Sequence, residues 1–206
     1  MKLFCVRHGQ TEYNSTGRIQ GQFDSQLSPL GLRQCQAVAE ALGTLPIDAI
    51  VSSPLSRALD SARPIADRLK LPIQIEPRLI EIHVGMFQGL EWKDIDQVHP
   101  LEAAGWRSQD PDYRIPGGES RRDLMLRGAE AFHAIREVGY HQAIVVAHGG
   151  LLSGAFKALL EIPAERNPFV LANGSISIVG WNKDFRLLTL NETGHLGDAR
   201  SGGGDL

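Results

Sequence analysis

Two histidines stand directly after two apolar stretches that are far apart in the chain. Arg7 and His8 follow the stretch at residues 2–6, and His148 follows the stretch at residues 143–147. In an open parallel sheet, ligands bind at the carboxyl ends of the strands. If both stretches are strands of one sheet, two imidazoles and a guanidinium meet at that edge. Such a group would form an anion-binding site that contains a nucleophile.

The chemistry that these side chains would support is phosphoryl transfer. This reaction needs cations around the phosphoryl oxygens, an in-line nucleophile and an acid for the leaving oxygen. Arg7, Arg57 and His148 would supply the cations, and the planar fork of arginine matches two oxygens at once. His8 would be the nucleophile, since a neutral imidazole nitrogen can accept a phosphoryl group covalently. Glu81, just past the third strand pattern, is the best candidate for the acid.

The patterns around these residues predict alternating strands and helices. Strand patterns fall at residues 2–7, 48–52, 73–76, 142–147, 175–181 and 185–191. Helical patterns run from a Ser28-Pro29 cap to Gly43, onward from Pro54, onward from Ser120, and over residues 151–160. This alternation favours a three-layer α/β/α fold with a mostly parallel central sheet of about six strands. Only residues 182–184 separate the last two strands, which predicts a hairpin and an antiparallel edge strand.

The composition excludes several classes of protein. Of the 206 residues, 42% are hydrophobic and 22% are charged, and the formal net charge is −3, so a general nucleic-acid partner is not expected. No apolar run is long enough for a membrane span, and no signal-peptide pattern is expected at the N-terminus. Cys5 and Cys35 lack CxxC spacing and fit apolar faces, which favours buried thiols and a cytoplasmic location.

The length predicts one domain over residues 1–196, followed by a flexible glycine-rich tail at residues 197–206. Residues 91–118 interrupt the alternation and are too many for an idle connector in a compact domain. We therefore expect this segment to hold a short helix and to fold over the site as a lid. Trp106, Tyr113 and Arg114 are its candidates for contact with the non-phosphate half of a substrate.

Nine short motifs follow one another along the chain. They are RHGQTEYN at residues 7–14, GRIQGQ at 17–22, LSPLG at 27–31, SSPLSRA at 52–58, LIEI at 79–82, PGGES at 116–120, VVAHGG at 145–150, NGS at 173–175 and GHL at 194–196. In this order they resemble the signature of the histidine phosphatase superfamily, in its phosphoglycerate mutase-like branch. The resemblance spans about residues 1–196. Within this branch the chain looks most like the broad-specificity and α-ribazole-type small-molecule phosphatases.

The resemblance implies a role for each matched residue. His8 would become phosphohistidine, and Glu81 would protonate the leaving oxygen and then deprotonate the attacking water. The phosphoryl group would be bound by Arg7, Arg57 and His148. Five further residues would complete the substrate side: Thr11, Asn14, Gln20, Gly21 and Gly149. No metal and no cofactor are implied, because cationic side chains take the place that Mg²⁺ holds in other phosphoryl-transfer sites.

The resemblance leaves two outcomes of the same first half-reaction open. A cofactor-dependent phosphoglycerate mutase keeps water away and grips a second anionic group with a basic insertion, whereas a phosphatase admits water to His8. Residues 90–118 carry only Lys93, Arg107 and Arg114 as cations and are net acidic, which favours a phosphatase. The expected partners are a small phosphorylated metabolite and inorganic phosphate as product, with neither nucleic acid nor membrane. A non-catalytic phosphate-binding protein is a second alternative, and the oligomeric state is left open.

Overall fold

One sheet of six strands forms the middle of the part of the chain that the computed structural model describes, residues 1–200. The strands are β1 (Lys2–Arg7), β2 (Ala49–Ser52), β3 (Ile73–Ile75), β4 (Gln142–Ala147), β5 (Ile176–Trp181) and β6 (Phe185–Glu192). The α-helices among these residues are α1 (Glu12–Ser15), α2 (Pro29–Leu42), α3 (Ser56–Leu69), α4 (Trp92–Val98), α5 (Pro100–Arg107), α6 (Arg121–Val138) and α7 (Gly149–Leu159). Short 3₁₀ helices cover Pro77–Leu79, Gly85–Phe87 and Gly194–Ala199.

The strand order confirms the predicted three-layer, mostly parallel architecture. The strands lie in the order β3-β2-β4-β1-β5-β6, and the first four are parallel to one another. β5 is antiparallel to β1, and β6 is antiparallel to β5, so the predicted antiparallel edge is this last pair. The strand that runs against the other five is therefore β5, because the hairpin restores the original direction in β6.

Helices cover both faces of the sheet, and the alternation of β1 shows how. Leu3 and Cys5 point into a core shared with α6 and α7. Phe4 and Val6 point into a second core shared with α2 and α3. Because both faces are buried, the central strands are apolar throughout, as parallel strands covered on two sides usually are.

The helix starts follow the capping signals in the sequence. The side chains of Ser28 and Ser120 accept hydrogen bonds from backbone amides of the first turns of α2 and α6, as N-caps do. Both of these predicted starts are confirmed. The helix predicted from Pro54 begins at Ser56, and the helix predicted over residues 151–160 begins earlier, at Gly149.

The segment over residues 91–118 folds into two short helices with a small core of its own. Ile95 of α4, Ala103 of α5 and Ile115 are buried together against Val84 and Phe87. This cluster is separate from the two cores that flank the sheet. The segment is therefore held in place by its own apolar contacts.

The described fold continues past the predicted domain boundary at residue 196. The 3₁₀ helix Gly194–Ala199 packs on α2, where the Nε2 of Gln34 donates to the carbonyl of Ala199 at 3.0 Å. Ala199 itself is buried. The start of the predicted tail, residues 197–199, thus belongs to the fold. The rest of that tail, residues 201–206, lies outside the described residues.

Two predictions from composition concern the cysteines and membrane-spanning helices. Cys5 and Cys35 are buried free thiols, as predicted. Within the described residues, none of the helices combines the length and the apolar character that crossing a bilayer requires.

Candidate active site

His8 and His148 occupy equivalent positions at the ends of two neighbouring strands. β1 and β4 are paired in parallel with Arg7 opposite Ala147, so the next residue of each strand is a histidine. The backbone amide of His8 donates to the carbonyl of Ala147 at 3.0 Å. The centroids of the two imidazole rings lie 5.1 Å apart. The two imidazoles thus meet at one edge of the sheet, as the strand patterns predict.

His8 is held as a neutral imidazole with a defined tautomer. Its ring is buried, and Nδ1 lies 2.7 Å from the carbonyl oxygen of Gly9. A carbonyl only accepts, so Nδ1 carries the proton and Nε2 keeps its lone pair. Burial, followed by the charges of Arg57 and Arg7, lowers the pKa of His8 well below the usual histidine value. Nε2 is therefore in the form that a nucleophile needs at neutral pH.

His148 is oriented by a serine hydroxyl behind it. Its Nε2 lies 2.7 Å from the Oγ of Ser53, which already accepts from the backbone amide of Leu55 at 3.3 Å. The Ser53 hydroxyl is fully buried and has no other acceptor for its proton among the described residues, so we take it to donate to Nε2, which leaves the ring proton on Nδ1. Nδ1 is buried and has no hydrogen-bond partner among residues 1–200. An anion at this edge of the sheet would satisfy that donor.

Arg57 supplies a buried positive charge from the first turn of α3. Its side chain is 1% exposed, and the carbonyls of Gly21 and Phe23 accept from Nη2 and Nη1 at 2.7 and 2.9 Å. Nε has no partner within the described part of the chain. Burial lowers the pKa of Arg57 to about 10, so the guanidinium is still charged at neutral pH. The two carbonyls fix its plane before any ligand arrives.

Arg7 lines a cleft of about 340 Å³ together with Glu81 and Gly149. Its Nη1 donates to the carbonyl of Leu171. A side chain at Gly149 would place its Cβ 3.2 Å from Nε of Arg7, so glycine allows the guanidinium to pack against the start of α7. The predicted partners Arg7 and Gly149 therefore share the cleft.

The carboxylate of Glu81 caps the N-terminus of α7. Oε2 accepts from the amide of Gly150 at 3.0 Å, and Oε1 accepts from the amides of Leu151 and Ile82, both at 2.9 Å. Helix N-termini stabilise negative charge. A Cβ at Gly150 would lie 2.7 Å from Oε1, so any larger residue there would displace the carboxylate. Glu81 is thereby fixed in the same cleft as Arg7.

Arg127 of α6 positions the segment that carries Glu81. Its Nη1 donates to the carbonyl of Ile80 at 2.7 Å, and its Nη2 lies 2.7 Å from a carboxylate oxygen of Glu119. The same oxygen of Glu119 accepts from the backbone amide of His83 at 2.9 Å. The chain is therefore tied on both sides of Glu81.

Thr11 and Asn14 serve the site in different ways. Thr11 is fully buried and caps α1, where its hydroxyl accepts from the amide of Asn14 at 3.2 Å. The side chain of Thr11 is thus used in a hydrogen bond inside the protein, and its place on the substrate side stays a prediction. The Oδ1 of Asn14 accepts from Nδ2 of Asn173, which also donates to the carbonyl of His8. Asn14 is thus tied to the backbone of the proposed nucleophile.

The loop with Gln20 and Gly21 lies beneath Arg57 and beside Glu81. Gly21 adopts a positive φ of 53°, and its carbonyl oxygen accepts a hydrogen bond from Arg57. The next residue, Gln22, donates from Nε2 to the carbonyl of Glu81 at 3.0 Å. The Oε1 of Gln20 is buried and has no partner among the described residues, so it could accept from a substrate hydroxyl. This loop therefore contacts both the guanidinium of Arg57 and the backbone of Glu81.

The three lid candidates do not share one location. Trp106 lines a small cavity beside the cleft. The ring of Tyr113 packs on Gly105, where a Cβ would lie 2.3 Å from it. Arg114 is exposed and forms an ion pair with Asp123. Of the three, Trp106 is the one that lines a cavity next to the cleft.

We expect the free energy of unfolding to decrease as the pH falls from about 7 to about 5.5. Burial holds the pKa of both His8 and His148 below the usual value, with Arg57 as the next cause. In this range the unfolded chain binds protons at these positions and the folded chain does not. Each histidine should therefore remove up to about 1 kcal/mol of stability per pH unit. Urea unfolding at a series of pH values measures this slope.

One variant identifies the source of the slope. His148→Gln should make the slope smaller, because the buried imidazole that resists protonation is then absent. An unchanged slope in His148→Gln would show that the buried imidazole does not resist protonation.

The sequence matches the model of a known protein family. The model of the histidine phosphatase superfamily (branch 1) matches residues 3–193. The chain belongs to the histidine phosphatase superfamily. The predicted family is therefore confirmed over nearly the whole of the described chain.

Similar members of the superfamily include two phosphatases named for different substrates and a probable mutase. A metal-independent phosphoserine phosphatase from Arabidopsis thaliana is 40% identical over 183 residues, which cover 86% of this chain and 75% of that protein. A probable phosphoglycerate mutase, GpmB, from Proteus mirabilis is 37% identical over 188 residues, covering 88% and 85%. The structure of a mycobacterial glucosyl-3-phosphoglycerate phosphatase in complex with VO3 has a TM-score of 0.86 at 36% identity, covering 93% of this chain and 99% of that one.

Sequence reasoning gave no role to the residues that orient this histidine phosphatase site. Ser53 stands inside the SSPLSRA motif, four residues before Arg57, so that motif carried a signal for it. Asn173 stands in the NGS motif just before β5, which carried a similar signal. Arg127 lies on an amphipathic helix with no local pattern that singles it out. Its role follows only from the tertiary contacts.

Proposed function

We propose that this protein is a metal-independent phosphatase that hydrolyses a small phosphomonoester through a phosphohistidine on His8. The observation that carries the proposal is the state of His8. Its Nδ1 is committed to the carbonyl of Gly9, its Nε2 is unprotonated, and it lies beside buried cations. The superfamily membership and the metal-independent phosphoserine phosphatase relative support the same reaction.

In the first step, the phosphoryl group passes from substrate to enzyme. The lone pair of the His8 Nε2 forms the new N–P bond as the P–O bond to the leaving alcohol breaks. Glu81 must enter this step in its protonated form, and it gives that proton to the leaving oxygen. Arg7, Arg57 and the Nδ1–H of His148 stabilise the charge on the three equatorial oxygens.

In the second step, water releases the phosphate. The water oxygen attacks phosphorus, and the N–P bond breaks with its electron pair returning to Nε2 of His8. Glu81 accepts the proton of this water, which restores the acid for the next cycle. Inorganic phosphate is the second product, after the alcohol. Arg7 and Arg57 provide positive charge without a metal ion.

Hydrolysis is favoured over mutase chemistry by the segment over residues 90–118. Each of its three cations is paired with a carboxylate: Lys93 with Glu91, Arg107 with Asp96, and Arg114 with Asp123. None of the three is therefore available to grip a second phosphate without losing its partner. The mutase alternative rests on the GpmB relative.

A turnover screen without added metal tests the proposal. Purified protein is given a panel of phosphomonoesters that includes phosphoglycerates, and both phosphate release and isomer formation are followed. We expect phosphate release that survives EDTA and is inhibited by vanadate more strongly than by phosphate, since vanadate can mimic the five-coordinate transition state.

Other outcomes of the screen would contradict the proposal in distinct ways. Isomer formation without net phosphate release would identify a mutase. Loss of activity with EDTA, restored by a divalent cation, would refute the metal-free mechanism. Phosphate binding without any turnover would favour a non-catalytic binding protein.

The proposal includes a cytoplasmic location. It is supported by Cys5 and Cys35, which are buried and unpaired, as thiols in a reducing compartment are.

A further inference from the structure

A second cavity, of about 120 Å³, opens beside the catalytic cleft. The two cavities share Gly150, Ser153 and Asn167 as lining residues. The second one is also lined by Trp106, Arg121 and Lys157. We call it the Arg121 pocket. Pockets that hold whole small molecules usually measure about 300–1,000 Å³, so this one fits a substituent of a ligand that lies in the cleft.

Lys157 brings a buried positive charge to the Arg121 pocket. The residue is 2% exposed, and its Nζ donates to the carbonyl of Ala164 at 3.1 Å and to Oδ1 of Asn167 at 2.9 Å. Both acceptors are neutral. An ammonium group has three N–H donors, so these bonds leave one for a ligand.

Arg121 brings a second charge, from the first turn of α6. Its guanidinium stacks 3.5 Å above the ring of Trp106 and donates from Nη2 to the Trp106 carbonyl at 2.8 Å. Nη1 is buried and has no partner within residues 1–200. The aromatic ring and the carbonyl thus fix the plane of the guanidinium and leave a donor unsatisfied.

Neither cation forms an ion pair with a carboxylate of the described chain. Asp110 and Glu165 are the acidic residues that act on Arg121 and Lys157 from a distance. Lys157 is buried and Arg121 is partly buried, and two such charges of one sign repel each other and cost free energy unless an anion joins them. The Arg121 pocket is therefore built to receive a negative group.

The geometry of α7 sets the span between the two sites. Gly150, whose amide binds Glu81, is seven residues before Lys157 on the helix, which corresponds to about 10 Å. Ser153 lies between them and lines both cavities. Helical side chains lean towards the N-terminus, so the ammonium group is closer to the cleft than its Cα. One small molecule can therefore reach both sites.

We propose that the Arg121 pocket binds the carboxylate of a phosphorylated hydroxy acid while the phosphoryl group lies at His8. This inference rests on the proposed phosphatase function and names the substrate class. A planar carboxylate matches the fork of Arg121 and accepts from Lys157 at the same time. Substrates that carry a carboxylate a few bonds from the phosphate should then be preferred over those that carry a neutral group there.

The test compares two phosphomonoesters that differ in one group. 3-Phosphoglycerate carries a carboxylate where glycerol 3-phosphate carries a hydroxymethyl group. The wild-type enzyme should show a higher kcat/KM for 3-phosphoglycerate, and Arg121→Gln should reduce the ratio of the two values by about tenfold to a hundredfold, mainly through KM. Arg122→Gln is the matched control, because the adjacent Arg122 is exposed and paired with Asp112, and it should keep the wild-type ratio.

Lys157→Met gives a second route to the same answer if Arg121→Gln fails to fold. Methionine fills a similar volume without the buried charge, and it should also lower the ratio. A ratio unchanged in both variants, or a wild-type enzyme without preference for 3-phosphoglycerate, would refute the carboxylate pocket. Equal loss for both substrates would assign Arg121 a structural role only.

Calorimetric binding separates this proposal from the proposed reaction. On His8→Ala protein, which lacks the nucleophile, 3-phosphoglycerate should bind more tightly than glycerol 3-phosphate, and Arg121→Gln should remove the difference. If that difference is found but the wild-type protein turns over neither compound, the phosphatase function is refuted and the pocket is retained. Turnover without any Arg121-dependent binding difference would retain the phosphatase and refute the pocket.

Discussion

Replacement of His8 by alanine should abolish turnover of every phosphomonoester, with a fall in kcat of at least about 10⁴-fold. The reason is that no other side chain in the described site is placed as a neutral imidazole with a free nitrogen beside Arg7 and Arg57. His148 is neutral too, but its Nε2 is held by Ser53 and its Nδ1 carries the proton. Steady-state phosphate release measures the loss. Rapid quench under alkaline conditions should trap a phosphorylated wild-type enzyme and none in the variant.

His141→Ala is the control for His8→Ala. His141 is exposed at the opposite end of β4 from His148, so its loss should leave kcat within about twofold of wild type. Circular dichroism should show that both variants are folded. Residual activity of His8→Ala within about tenfold of wild type would mean that a different group attacks phosphorus.

Glu81→Gln should lower kcat/KM by about 10²- to 10⁴-fold for alkyl phosphates and much less for p-nitrophenyl phosphate. The ratio kcat/KM reports the first step, in which the leaving alcohol departs, whereas kcat also includes the hydrolysis of the phosphohistidine. The glutamine has the size of the glutamate but has no proton to give to the leaving oxygen. An alkoxide is a poor leaving group and needs that proton, whereas nitrophenolate leaves without it. The dependence of kcat/KM on leaving group, measured across a series of aryl and alkyl phosphates, should therefore become steeper in the variant.

The hydrogen bonds of Glu81 make stability part of this experiment. In the Glu81→Gln variant the side-chain amide replaces one acceptor by a donor, so the bond from the amide of Gly150 is lost and Tm should fall slightly. Glu76→Gln, five residues earlier and paired with Arg78, is the matched control and should keep the wild-type kcat. Equal losses of kcat/KM for alkyl and nitrophenyl substrates would show that Glu81 does not protonate the leaving oxygen.

The parts of the site predicted correctly from sequence are those that strand patterns control. His8 and His148 each follow an apolar strand, and parallel pairing with Arg7 opposite Ala147 makes the two neighbours. Arg57 follows β2 by about one helical turn, which puts it near the same edge of the sheet. The sequence pattern that marks each residue is local, and the pairing of the strands brings the marked residues together.

The parts that sequence could not give depend on contacts between distant elements. Arg127 reaches the Glu81 segment from α6, and the Arg121 pocket combines α5, α6 and α7. The charges of residues 90–118 alone do not predict a second anion site. The two cations of the Arg121 pocket, Arg121 and Lys157, lie outside that range. The direction of β5 was missed for a similar reason, because only its pairing with β1 reveals it.

The position of β1 in the sheet has a consequence for folding. β1 lies between β4 and β5, whose residues stand more than a hundred positions later in the sequence. Pairing across such a long sequence separation slows the search for the native state. A fragment that ends before β4 holds the RHG segment but neither of the strands that pair with β1. His8 and His148 therefore become neighbours only when β1 has paired with β4, so the site cannot form before this long-range contact does.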